Sequence, residues 1–249
     1  MQNNNNILWE YKVYSKSLTN FLKIIDEHIE NSKQLSIFFL NTWKLYLGEK
    51  DRGIKEIFKQ FDYILPDGQS IVFASRILNN IKIEYISGAE LFIKLIEIAN
   101  KKNYSVFFLG SPKELLRIVE YKIKNCYPNI KKVESQHGYY DLSEEDSIVN
   151  KIANFDPDLL FIAFGSPRKE LFIHKYKKNI KGKIVMGVGG SYEVFIGYKK
   201  INRIIKKMGM RWLHRIIQDP FRLSRRYSVC NSYFLYMMIQ SLVKKKFIL

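Results

Sequence analysis

Short apolar runs recur along this chain, and each stops at a turn. Ser36 to Leu40, Phe61 to Leu65, Ser105 to Leu109, Leu159 to Phe164 and Lys183 to Val188 read as β-strands. They end at Asn41, at Pro66-Asp67-Gly68, at Gly110-Ser111-Pro112, at Gly165-Ser166-Pro167 and in Gly187-Val188-Gly189-Gly190. Helical periodicity fills the intervals: Leu18, Phe21, Leu22, Ile25 and Ile29 after Ser15 and Ser17; Ile71 to Leu78; Leu91, Leu95 and Ile98 after Gly88; a helix after Pro112; and Ser143 to Ile152. A weaker strand is expected near Ile130 to Val133. The runs at Leu159 and Lys183 are apolar throughout, as central strands covered on both faces must be. Alternating β and α units with short loops predict an α/β fold: a Rossmann-like, mostly parallel, doubly wound sheet.

Charge divides the chain in two. Lys and Arg outnumber Asp and Glu by 41 to 24, and twelve of the seventeen surplus positive charges lie from Gly197 onward. There Ile201, Ile204, Ile205, Met208, Trp212, Leu213, Ile216 and Ile217 recur between basic residues, which describes a basic amphipathic helix. A second apolar stretch, Tyr233 to Val243, precedes Lys244-Lys245-Lys246. The expectation is an α/β domain over 1–197 and a helical appendage over 198–249. Such a tail could bind nucleic acid, form a solvated face or lie on a membrane. Aromatic stacking residues are not scattered among the cations as in nucleic-acid modules. Large apolar residues opposite Arg and Lys favour the surface of an anionic bilayer, with no nucleic-acid partner. Cys126 and Cys230 stand far apart without metal-ligand spacing, so neither a disulfide framework nor a zinc site is indicated. Met1 to Asn6 lacks the order of a signal peptide, and no apolar run approaches the roughly 20 residues of a membrane span. A cytoplasmic protein, peripheral on a membrane, is the expectation.

In a parallel sheet, ligands bind beyond the carboxyl ends of the strands. Glycine turns there let backbone N–H groups approach a phosphate, although Gly187-Val188-Gly189-Gly190 is not a full dinucleotide fingerprint. Asp67 is the one carboxylate among these strand-end positions, and a carboxylate in a crevice can take a proton from a substrate hydroxyl. Pro-Asp-Gly is also a common turn, so the residues alone leave both readings open. His174 and His214 fall on helix-like stretches and read as structural; His137 is ambiguous.

Seven ordered blocks resemble the WecG/TagA/CpsF glycosyltransferases (glycosyltransferase family 26). They are Ile64-Leu65-Pro66-Asp67-Gly68, Ile86 to Leu91, Phe108-Leu109-Gly110, His137-Gly138-Tyr139, Gly165 to Glu170, Gly187 to Tyr192, and Trp212 to Arg215 continuing through Pro220-Phe221-Arg222. The resemblance implies inverting, metal-independent and cofactor-free transfer of N-acetylmannosamine, its uronic acid or glucose. The donor would be a UDP-sugar and the acceptor a polyprenyl-diphosphate-linked sugar, at the inner face of a bacterial membrane. It makes Asp67 the general base and Asn41 an active-site residue. It places Tyr85, Gly110, Tyr139, Gly165, Pro167, Lys169, Glu170, Gly187, Gly189, Gly190 and Glu193 around the substrates. Arg215, Arg222 and Arg225 would close over the donor diphosphate when the tail docks. Four departures stand out: Tyr85 and Lys169 replace a usual Arg and Gln, Ile201-Asn202-Arg203 replaces Arg-Ala-Pro, and Arg211 replaces Glu. They leave open the donor sugar, a homo-oligomer, and a second reading, a non-catalytic membrane-associated nucleotide-binding or scaffold protein.

Overall fold

The computed structural model describes residues 6–198 and 220–246, with backbone alone for 220–222, 245 and 246. A small hairpin, β1 (Ile7–Leu8) and β2 (Tyr11–Lys12), is followed by α1 (Leu18–Glu30) and β3 (Leu35–Leu40). Then come α2 (Thr42–Lys50), α3 (Arg52–Lys59), β4 (Tyr63–Pro66), α4 (Gln69–Asn79), α5 (Gly88–Lys102), β5 (Val106–Gly110), α6 (Lys113–Cys126) and β6 (Val133–Gln136). The chain continues through α7 (Glu145–Phe155), β7 (Leu159–Ala163), α8 (Arg168–Tyr176), β8 (Ile184–Gly187), α9 (Ser191–Phe195) and α10 (Pro220–Lys246). Six strands form one sheet in the order β4-β3-β8-β7-β5-β6, every pair parallel. The fold is the α/β, doubly wound sheet that the alternation implies. The weak strand lies three residues later than expected. The hairpin, α2 and α3 were not foreseen, and the helix expected over Ile201 to Ile217 lies outside the described residues.

Side chains of a strand alternate between faces, and the strands use both faces to build two cores. Phe38, Leu40, Phe107, Leu109, Leu160, Ile162 and Val185 point to one face, where they meet Leu45 of α2, Phe58 of α3, Ile71 of α4, Ile152 of α7, Phe172 of α8 and Met237 and Met238 of α10. Their neighbours Ile37, Phe39, Val106, Phe108, Leu159, Phe161, Ile184 and Met186 meet α1, α5, α6 and α9 on the other. The apolar part of α10 is therefore anchored in the first core. It lies along α2, with Tyr233 against Tyr46 (5.4 Å between ring centres), Phe234 against Trp9 (5.8 Å) and the Trp9 indole donating to Ser241 Oγ at 3.0 Å.

Two matching clamps tie the amino-terminal edge of the sheet. The Asp62 carboxylate, just before β4, accepts from the N–H and hydroxyl of Ser36 in β3 (2.8 and 2.7 Å) and from Lys177 (3.0 Å). Asp158, before β7, does the same with Ser105 (2.8 and 2.9 Å) and Lys183 (2.7 Å). Burial alone pushes both carboxyls up, but hydrogen bonds from the serines and lysines outweigh it and hold them below their ordinary value. The unfolded chain then binds these protons more readily than the fold does. The stability from the clamps is thus present at neutral pH and is lost as pH falls from about 4 through the lower folded-state values. Asp158→Asn should cost about 1–3 kcal/mol at neutral pH and flatten the acid limb of a urea-unfolding stability profile.

Candidate active site

The chain leaves β3 at Asn41, whose extended backbone makes it the amino-terminal cap of α2. Its side-chain oxygen accepts from the Lys44 N–H at 3.1 Å, which leaves the amide NH2 to face outward. That NH2 donates to Asp67 Oδ2 at 3.2 Å. Asp67 follows β4, and its own N–H donates to the Leu40 carbonyl at 2.9 Å, extending the parallel ladder one residue beyond the strand. Gly68 then turns the chain into α4 with φ +127°, a conformation that disfavours any side chain. The Tyr85 hydroxyl donates to Asp67 Oδ1 at 3.4 Å, and the N–H of neighbouring Ile86 fixes that segment on the Pro66 carbonyl at 3.0 Å. Each carboxylate oxygen thus has a neutral donor and keeps lone-pair capacity for a proton.

A second group lies beyond β7. Gly165-Ser166-Pro167, with a cis Ser166–Pro167 bond, leads into α8, whose first turn buries Lys169 and Glu170. Glu170 Oε1 meets Lys44 Nζ at 2.9 Å and Lys169 Nζ at 3.1 Å, and accepts from Ser166 Oγ at 3.0 Å. Lys169 also donates to Ser166 Oγ. Burial alone pushes the Glu170 carboxyl up; Lys44 and Lys169 outweigh it and hold it below its ordinary value. Burial first, then repulsion from Lys44, lowers Lys169 to about 8.

The remaining expected residues distribute around these two groups. Gly110 has φ +98°, and a Cβ there would stand 2.9 Å from the Ala163 backbone, so only glycine lets the ends of β5 and β7 meet this way. The His137-Gly138-Tyr139 loop folds over Gly110, held by the Gly138 N–H on the Ser111 carbonyl at 3.0 Å, and leaves Tyr139 exposed at the rim. Beside it Arg168 stacks on Phe164 and Tyr140, 4.5 and 5.2 Å from their ring centres. Gly187 closes β8 beneath the Lys169 stem. Gly189 is exposed, Gly190 caps α9, and half-buried Glu193 lies in its first turn. Of the arginines, Arg225 is exposed on α10, while Arg215 and the Arg222 side chain lie outside the described residues. His174, read as structural among apolar neighbours, is exposed.

Three participants had not been foreseen. Lys44 and Ser166 complete the Glu170 cluster, and Arg226, next to the expected Arg225, places its guanidinium 4.5 Å over the Trp43 ring. The signals available were position alone: Lys44 is three residues past Asn41, and Ser166 lies within a strand-end turn. Among the described residues no three His, Cys, Asp or Glu side chains come together as a metal site requires. Removing the shared carboxylate would strand two buried ammonium groups. Glu170→Gln should therefore destabilise the fold by about 3–5 kcal/mol, measured by urea unfolding at neutral pH.

Comparison with known proteins gives the family. The model of the glycosyl transferase WecG/TagA/CpsF family matches residues 6–247. An N-acetylglucosaminyldiphosphoundecaprenol N-acetyl-β-D-mannosaminyltransferase of Bacillus subtilis (strain 168) is 32% identical over 217 residues, 86% of this chain and 84% of the relative. A protein of the same name from Staphylococcus aureus (strain MRSA252) is 36% identical over 175 residues, 70% of this chain and 68% of the relative. The chain belongs to the WecG/TagA/CpsF family of glycosyl transferases.

Proposed function

We propose that this chain transfers an N-acetylmannosamine-type sugar, with inversion, from a UDP-sugar to a polyprenyl-diphosphate-linked acceptor in bacterial cell-surface polysaccharide assembly, with Asp67 as general base. The observation that carries the reading is the Asp67 carboxylate, held by Asn41 and Tyr85 at the ligand edge of the sheet. The acceptor hydroxyl gives its proton to Asp67 as its oxygen bonds to the anomeric carbon. The bond from that carbon to the diphosphate oxygen breaks, and UDP leaves with the electron pair. Cations and the N–H groups of the glycine turns neutralise the departing charge, a task a metal performs elsewhere. Glu170, the buried carboxylate of this edge, is committed to two lysines and is not available as a nucleophile. The β linkage in the relatives' names fits inversion of an α-linked nucleotide sugar.

The same reading puts residues 198–249 at the inner face of the membrane, where Arg215, Arg222 and Arg225 approach the donor. No described helix is long and apolar enough to cross a bilayer. Leu235, Tyr236, Ile239, Leu242 and Val243 instead form an exposed apolar face on α10, and Phe73 and Ile77 are exposed on α4, directly after the base. An apolar face beside basic residues suits the interface of an anionic bilayer.

With a lipid-diphosphate N-acetylglucosamine acceptor and UDP-N-acetylmannosamine, the protein should release UDP, and Asp67→Asn should slow release by about 10²-fold or more while thermal unfolding stays unchanged. Unaltered release in that variant would remove Asp67 from the role. Replacing Leu235, Ile239 and Leu242 together by Ser should reduce flotation on vesicles containing anionic lipid; equal flotation counts against the α10 face.

A further inference from the structure

The Lys44–Glu170–Lys169 cluster holds more positive charge than it neutralises. Two buried ammonium groups converge on one oxygen, Glu170 Oε1, while Oε2 has no hydrogen-bond partner among the described residues. Arg226 of α10 is near enough to add its own repulsion on Lys169. Two buried ammonium groups thus share one carboxylate oxygen, and a buried surplus cation is costly unless an anion joins it. Placement gives that anion a route. The Lys169 stem crosses the end of β8 over Gly187, where a Cβ would stand 3.0 Å from its Cδ, and its ammonium lies at the Ser166 hydroxyl. The flanking positions Gly165 and Gly189 are exposed, with nothing among the described residues packed where their side chains would be.

We infer that the Lys169 ammonium receives the diphosphate of the nucleotide donor and that donor binding is coupled to its protonation. The inference rests on the donor reading given above and adds the contact and its pH dependence. Among the described residues the charged groups facing Lys169 are Lys44 from α2, Glu170 from its own helix and Arg226 from α10; Ser166 contributes a hydroxyl and β8 only backbone. Burial and the repulsion of Lys44 lower Lys169 to about 8. A bound diphosphate favours the charged form and raises that value. Below about pH 7 the ammonium is protonated with or without ligand; above about pH 8 binding must bring a proton with it. Affinity therefore falls as pH rises through this range.

Calorimetry of the full chain with UDP, in two buffers of different ionisation enthalpy, reads the protons taken up. The wild type should take up about 0.1 proton at about pH 7 and about 0.7 at about pH 8.5. Lys169→Gln should bind UDP more weakly and lose the increase at the higher pH. Should that variant fail to fold, Lys44→Met serves: with one repelling cation gone, the uptake should move to higher pH. UDP binding whose proton uptake is the same in wild type and in whichever variant folds overturns the inference and leaves the donor site standing. An absence of UDP binding to the wild type at either pH overturns the donor reading itself. Uptake with geranyl diphosphate and none with UDP overturns the assignment to the donor, since the acceptor's diphosphate then meets Lys169.

Discussion

Parallel pairing is the constraint from which the site follows. Because β4, β3 and β8 are neighbours running the same way, Asp67, Asn41 and Gly187 leave the sheet side by side at one edge. Adjacent strands lie roughly 5 Å apart, so the ends of β4 and β8 are separated by about 10 Å. The proposed base stands over the first and the Lys169 stem over the second. In an inverting displacement the attacking oxygen and the leaving oxygen lie on opposite sides of the anomeric carbon. A carboxylate at one strand and a cation two strands away suit that line, with room for a sugar between them. The sheet thus separates the two charges that the proposed reaction requires, and no long loop is needed to do so.

Carboxylates at the two edges of the sheet have opposite fates. Asp62 and Asp158, at the amino-terminal edge, are saturated by a serine N–H, a serine hydroxyl and a lysine, and they bind neighbouring strand starts together. Asp67, at the other edge, receives two neutral donors and, among the described residues, no lysine. One residue type is a structural clamp or a proposed proton acceptor according to which end of a strand it occupies.

Much of this was legible in the residues. Runs such as Leu159 to Phe164 are apolar on both faces because helices cover both, and that pattern survives without any structure. The strand ends named the edge, and Asp67 with it. Helix α2 escaped notice for a physical reason. It lies between the first core and α10, so Leu45 is buried on one side while Tyr46 meets Tyr233 on another, and no single apolar stripe marks it. Lys44 was missed with the helix that carries it. Strand β6 is half-buried at the sheet edge and mostly polar, which shifted its expected position. The Glu170 cluster joins α2 to α8 across the chain, and such long-range meetings leave no local periodicity to detect.

Asn41 uses its oxygen to hold the end of a helix and its nitrogen to hold the proposed base. Random change at that position is therefore screened twice, once by folding and once by chemistry, whereas Asp67 can be replaced without opening a core. Along a lineage that no longer needed the reaction, the carboxylate would drift first and the amide would persist. A descendant with Asn41 kept and Asp67 lost would be a protein that had given up catalysis while keeping its shape.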